Sequence, residues 1–416
     1  MSAAERAAEA LARIGAAASL NAFIRATPDL ATAAAQAADA RAAGGASLGP
    51  LDGRLVAVKD NIDIAGLPTS AGIGHYRDNL AQADAPLVAR CKALGAVIAG
   101  KTNLDEAALG ATGANPWFGA CASPRREGFV PGGSSSGSAA AVAAGLCDLA
   151  LGTDTMGSVR IPAAYCGIAG FKPTRGALST QGIVPLSPQL DHAGLLAAYV
   201  TTIAAAWHTL QGDGDGRTAF GFKGRRIGVL PDLLGAQVDA VVPRMLDEAH
   251  ACMREAGAHL LEARLPGWDA AALRRDAFLL CEIDGAQVHA QALARDPEGF
   301  SPALRKLLAY GAAHAGERAQ IAARLAVAAD TLNNCLGGLD LLVLPTCPQA
   351  AFAQGSAAPL NQADFTVPAN LCGAPALSMP WGADAAGMPL GLQLMARPGM
   401  DAMLLRLGCL LEALRP

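Results

Sequence analysis

The sequence predicts an α/β fold, and two observations carry that expectation. Short apolar runs at 54–58, 96–98 and 226–230 alternate with longer segments of helical spacing. The 416 residues are 52% apolar but only 4% aromatic, which supplies a large core of small aliphatic side chains. With 16% charged residues, the composition excludes a disordered chain.

Residues 3–43 are Ala-rich, with Leu11, Ile14, Leu20, Phe23 and Ile24 at helical spacing, and predict two or three packing helices. Pro50 ends that region. The run 54–58 reads as a buried strand with Lys59, Asp60 and Asn61 as its polar exit. A helix around 85–94 and a strand at 96–98 follow, leaving through Lys101, Thr102 and Asn103. That order is βαβ-like, and open α/β sheets hold their sites at strand ends. Residues 131–138 form a Gly/Ser-rich loop running into a strong helix former, so the first amides of that helix point at whatever precedes it.

From 148 to 176, glycines and prolines interrupt short apolar stretches, which reads as turns and close backbone approaches rather than regular elements. Beyond 220 the pattern predicts a strand at 226–230, a helix at 240–256, a strand at 259–264, helices to about 338 and a strand at 339–344. Strands at 376–379 and 390–395 and a helix from 401 close the chain. No internal repeat and no separating linker is present, so one domain is expected over 1–416. Its sections are N-terminal helices (1–47), a core (50–210), a variable helical region (211–340) and closing strands with a helix (341–416).

Thirty-two Lys and Arg against thirty-six Asp and Glu give a net charge of −4, with no electrostatic basis for binding nucleic acid or an anionic membrane. Ten scattered cysteines without a C-x-x-C pair read as reduced thiols of a cytoplasmic protein. Seven dispersed histidines offer no metal-ligand spacing, so no metal is expected. Glu5 and Glu9 fall where a secretory signal needs apolar residues, and no 18-residue uncharged apolar run follows.

Two short motifs match formally and fail on context. Residues 95–102 satisfy G-x-x-x-x-G-K-[ST], yet the four variable residues AVIA are themselves the apolar strand. Residues 133–137 satisfy G-x-S-x-G around Ser135, but Pro131 and glycines break any preceding strand. Of the histidines only His192 has an adjacent carboxylate, and a lone histidine is more often structural.

A longer arrangement is far more specific. It comprises Gly132-Gly133-Ser134-Ser135, Gly152-Thr153-Asp154, Gly157-Ser158-Val159-Arg160-Ile161-Pro162 and Gly170-Phe171-Lys172-Pro173-Thr174, with twenty-four residues from Ser134 to Ser158. Upstream stand 53–60 (GRLVAVKD) and 100–106 (GKTNLDE); downstream stand 367–370 (VPAN), Gly373 and 391–393 (GLQ). This set resembles the amidase signature family across most of the chain, apart from the N-terminal helices and about 210–340. The resemblance implies a single-domain amidase-signature fold, with a central mixed sheet flanked by helices. It also implies a Ser–cis-Ser–Lys triad: Ser158 as nucleophile, Ser134 as the bridging serine on a cis peptide bond, and Lys59 as base.

Those residue types suit that chemistry. A serine hydroxyl is a poor nucleophile until a base takes its proton, and a lysine serves only if burial lowers its pKa. Ser134 can both accept and donate, and so can relay the proton. The resemblance places an oxyanion hole at the backbone N–H groups of Thr155, Met156, Gly157 and Ser158, and substrate contacts at Gly132, Gly133 and Met156. Asp154 and Arg160 are expected to form a structural ion pair, while Lys101 and Lys172 compete with Lys59 without local support as bases. Met156 stands where relatives usually carry glycine, so it either lines the acyl pocket or needs a φ that methionine resists.

The function implied is hydrolysis of a linear carboxamide to carboxylate and ammonia or amine, with no cofactor. The expected partner is a small amide substrate, with a homodimer left open. Three alternatives stand beside it: the glutaminase component of a tRNA-dependent amidotransferase, a hydrolase of urea derivatives such as allophanate or carboxybiuret, and a catalytically silent scaffold or binding subunit.

Overall fold

The structure is a computed structural model and describes residues 1–212 and 221–415; residues 213–220 of the expected 211–340 section lie outside the described residues. Among the described residues eleven strands form one mixed sheet: β1 (Phe23–Ala26), β2 (Leu55–Lys59), β3 (Val97–Thr102), β4 (Leu149–Asp154), β5 (Ala169–Lys172), β6 (His192–Ala197), β7 (Arg226–Val229), β8 (His259–Glu262), β9 (Leu341–Pro345), β10 (Ala376–Ala383) and β11 (Pro389–Met395). Their spatial order is β1-β3-β2-β4-β6-β5-β10-β11-β9-β7-β8. β2 runs parallel to β3 and β4, and β7 parallel to β8 and β9; the remaining pairs are antiparallel.

Twelve α-helices accompany the sheet among the described residues: α1 (Ala3–Ala16), α2 (Pro28–Ala43), α3 (Pro86–Ala93), α4 (Ser136–Ala143), α5 (Arg160–Cys166), α6 (Val200–Gln211), α7 (Val241–Glu255), α8 (Ala270–Arg295), α9 (Pro302–Ala313), α10 (Arg318–Gly337), α11 (Val367–Leu371) and α12 (Asp401–Leu414). Strand alternation decides which of them a residue meets. Leu55 and Ala57 of β2 join a cluster with alanines of α1, α2 and α4, whereas Val56 and Val58 join the cluster that α3, α6, α7 and α12 complete. Both faces are therefore covered around β2, as strands in parallel pairing require. α9 and α10 both pack on α8 beside the sheet, and α8 and α9 wall the cleft described below.

Two expectations need correction. The N-terminal section is not purely helical, because β1 lies between α1 and α2 and pairs antiparallel with β3 at the sheet edge. The stretch 148–176, read as turns, holds β4, α5 and β5. Its glycines serve close packing inside regular elements: a Cβ at Gly170 would collide with Ala163 of α5, and one at Gly152 would press on Ser135. The G-K-T of the phosphate-loop match lies within β3, and Lys101 there pairs with Asp60 at 2.8 Å in a buried setting.

Candidate active site

The parallel pairing of β2 with β4 creates the site. The register sets Val58 beside Leu151, so Lys59 and, two residues past Leu151, Thr153 emerge together at the carboxyl ends of adjacent strands. Lys59 is fully buried; its Nζ lies 2.8 Å from Ser134 Oγ and 2.8 Å from Thr153 Oγ1. Asn61 Nδ2 donates to the same threonine oxygen at 3.1 Å. Burial pushes the Lys59 ammonium down to about 7, against the upward pull of the Asp105, Asp154 and Asp191 carboxylates.

Ser134 sits in the loop before α4, after a cis Gly133–Ser134 peptide bond. The serines around it pin the start of α4 to the strand ends. Ser135 Oγ donates to the Thr153 carbonyl at 3.1 Å, and Ser138 Oγ to the Leu151 carbonyl at 3.1 Å. Ser135 is thus a buried residue that packs the loop onto β4 and does not line the cleft described below.

Ser158 lies in the turn between β4 and α5 and is 8% exposed at the floor of the cleft. Asp154 shapes this turn: its carboxylate accepts from Gly157 N at 2.9 Å and Val159 N at 3.2 Å, and pairs with Arg160 at 2.8 Å. Both partners of the ion pair are fully buried. Burial opposes ionisation of Asp154, but Arg160, with Lys172 and Asn370, holds its carboxyl well below the usual carboxylate range. Arg160 is satisfied in turn by the Thr366 carbonyl, Gln393 and Asn370. The two serine loops meet through the backbone, Ser135 N donating to the Ser158 carbonyl at 3.1 Å. No hydrogen bond joins the Ser134 and Ser158 hydroxyls in this structure; the Ser158 hydroxyl has no partner among the described residues and is free to turn.

The four amides expected at the oxyanion hole differ in their hydrogen bonding. Thr155, Met156 and Ser158 N–H have no acceptor among the described residues, whereas Gly157 N–H is already bound to Asp154. Gly157 has a different task. Its φ of +129° and its contact with Thr366, where a Cβ would collide, require glycine for the turn to close. Gly132 and Gly133 do not line the cleft, contrary to expectation. A Cβ on Gly132 would lie 2.8 Å from Pro162 Cα, and one on Gly133 would run into Asp105, so both permit close backbone packing.

Met156 is not among the positive-φ residues and lines the cleft, so methionine sits in this turn without the φ it resists. Lys172 is also fully buried and pushed down to about 7 by burial and by Arg160, yet its Nζ binds the Pro173 carbonyl and reaches no serine hydroxyl. His192 Nδ1 lies 2.7 Å from the Leu190 carbonyl, and burial drives its pKa well below the ordinary range.

Sequence reasoning misses three contributors. Thr153 and Asn61 stand inside recognisable motifs, but nothing local gives them a role. Asp191 accepts from Thr155 Oγ1 at 2.6 Å and is raised by burial to about 6; only the strand β6 that follows it, unrecognised in sequence, places it there. The cleft encloses about 1380 Å³ between the β4–α5 turn, the 105–116 segment, α8, α9 and the 358–363 loop.

A buried lysine thus touches a serine, with a second serine at the floor of a cleft, on a mixed α/β sheet. The chain belongs to the amidase family, whose model matches residues 5–405, and its members are enzymes that cleave amide C–N bonds. It is 37% identical to a glutamyl-tRNA(Gln) amidotransferase subunit of Anaeromyxobacter dehalogenans, covering 94% of this chain and 89% of that one. A solved structure described as a vestigial protein complex bearing on the origins of an s-triazine catabolic enzyme superposes with a TM-score of 0.91 at 35% identity, covering 99% of this chain and 95% of that chain. The peptide amidase of Stenotrophomonas maltophilia superposes with a TM-score of 0.86 at 29% identity, over 99% of this chain and 93% of that chain. No described helix is long and apolar enough to cross a membrane.

Proposed function

We propose that the protein hydrolyses linear carboxamides through an acyl-enzyme on Ser158. The neutral amine of Lys59 takes the proton of Ser134 as Ser134 takes that of Ser158, and Ser158 Oγ attacks the amide carbon. Negative charge collects on the former carbonyl oxygen, facing the N–H groups of Thr155, Met156 and Ser158. The proton returns through Ser134 to the departing nitrogen, the C–N bond breaks, and ammonia or an amine leaves. Water, deprotonated along the same path, then releases the carboxylate from Ser158.

The observation that carries this reading is the Lys59–Ser134 contact of 2.8 Å in a fully buried setting. An ammonia-release screen across aliphatic, aromatic and urea-type amides, using wild type and Ser158→Ala, tests it. The reading predicts release by wild type and none by the variant; equal release by both would overturn it. Silence of wild type with every amide would favour the scaffold alternative.

The 37% identity to a glutamyl-tRNA(Gln) amidotransferase component favours a second reading, the glutaminase component of a tRNA-dependent amidotransferase. Glutamine as the preferred ammonia source, together with co-purification of further subunits, would select it.

A further inference from the structure

We infer that Glu282 is the recognition group for a cationic end of the substrate, so that the cleft takes amides carrying an ammonium or amidinium group away from the carboxamide. This inference rests on the proposed amidase reading of the same cleft. Four carboxylates line that cleft, and three have partners. Asp105 accepts from the Thr112 and Gly113 amides, Glu106 from Trp117 Nε1 at 2.7 Å and from Ser301, and Asp276 pairs with Arg324 at 2.7 Å. Glu282 alone has no hydrogen-bond partner among the described residues, although it is only 5% exposed.

Its surroundings hold it in place without satisfying it. Leu279, one turn earlier on α8, and Leu307 and Tyr310 on α9 line the cleft with it. A Cβ at Gly311 would collide with the Glu282 backbone, so α9 packs directly on α8 at this residue. The basic group that faces it, His314, is engaged with the Tyr310 carbonyl at 2.8 Å and stands 3.9 Å from Glu317. Burial accordingly pushes the Glu282 carboxyl up to about 7, with His314 drawing it down only in part. Two arginines lie at the same wall: Arg274 is neutralised by Asp364 at 2.6 Å, and Arg275 is exposed and makes no ion pair with Glu282.

A carboxylate with little exposure and no donor among the described residues is poorly solvated, and a ligand cation offsets that on binding. A neutral alkyl end of the same shape cannot, and an anionic end adds repulsion. The cleft therefore discriminates by charge on its α8 and α9 side.

Calorimetric titration of the Ser158→Ala protein at pH 8 tests this with three linear amides: 5-aminopentanamide, its neutral isostere hexanamide, and anionic glutaramate. The inference predicts that 5-aminopentanamide binds about 10- to 100-fold more tightly than hexanamide, with glutaramate weakest. Adding Glu282→Gln should bring the first two to parity. Equal or tighter binding of hexanamide in Ser158→Ala, or a cation preference that survives Glu282→Gln, would overturn it. Should the second variant fail to fold, the ranking in Ser158→Ala decides alone. Failure of the amidase reading looks different: the cation preference would persist while wild type releases no ammonia from any of the three.

Discussion

Lys59 and Thr153 stand side by side at the ends of two parallel strands, the lysine Nζ 2.8 Å from the threonine hydroxyl. Asn61 donates to the same oxygen, which fixes its lone pairs and hence the direction of the amine. With one N–H directed at Thr153, the nitrogen lone pair of the neutral amine is left for Ser134. On the proposed mechanism Thr153 is thereby a positioning residue. Thr153→Val should lower kcat about tenfold with little change in KM. The rising limb of the pH profile should also move to lower pH, because the ammonium form loses an acceptor. A steady-state pH series on the pure variant checks both.

A buried Lys59 lowered to about 7 is a stability cost. Between about 7 and its unfolded value of 10.5, the unfolded state binds the proton that the folded state has released, so this group's contribution to stability falls as pH drops from 10.5 toward 7. Lys59→Met removes the cost. Its unfolding free energy from urea denaturation at pH 8 should exceed that of wild type by an amount on the order of 2 kcal/mol, while activity is lost. The gap should close as pH is raised toward 10.5.

Asp154 and Arg160 make the opposite case, because neither can be neutralised alone. Arg160→Met would leave the Asp154 carboxylate buried without its cation and would free the turn that presents Ser158. A loss of about 3–5 kcal/mol is expected, read as a drop in the denaturation midpoint.

Much of this site is legible in the primary structure, for a physical reason. Lys59, Ser134, Ser158, Asp154 and Arg160 sit in motifs whose spacing is fixed by short, tightly packed turns. What escapes notice is long-range. β1, β4, β5 and β6 are short and carry little alternation of their own, and only pairing with neighbours makes them strands. Asp191 and Glu282 acquire their character from burial by distant segments, which no local pattern encodes. Glycines such as Gly132 and Gly133 suggest ligand contact because glycine permits close approach; here the approaching groups belong to the protein itself.

Met156 lines the same cleft as Ser158, two residues from it in the β4–α5 turn. Met156→Gly should widen that cleft and raise kcat/KM for phenylacetamide relative to acetamide by about tenfold. The ratio measured against wild type checks it; an unchanged ratio would place the specificity wall elsewhere.

The triad itself is tested most directly by labelling with a fluorophosphonate and locating the adduct by peptide mass spectrometry across a pH series on both sides of the Lys59 transition. A single adduct on Ser158, forming at a rate that climbs as pH passes about 7 and falling roughly ten-thousand-fold in Lys59→Met, is the predicted result. An adduct on another serine, or a Ser158 rate indifferent to Lys59→Met, would contradict it.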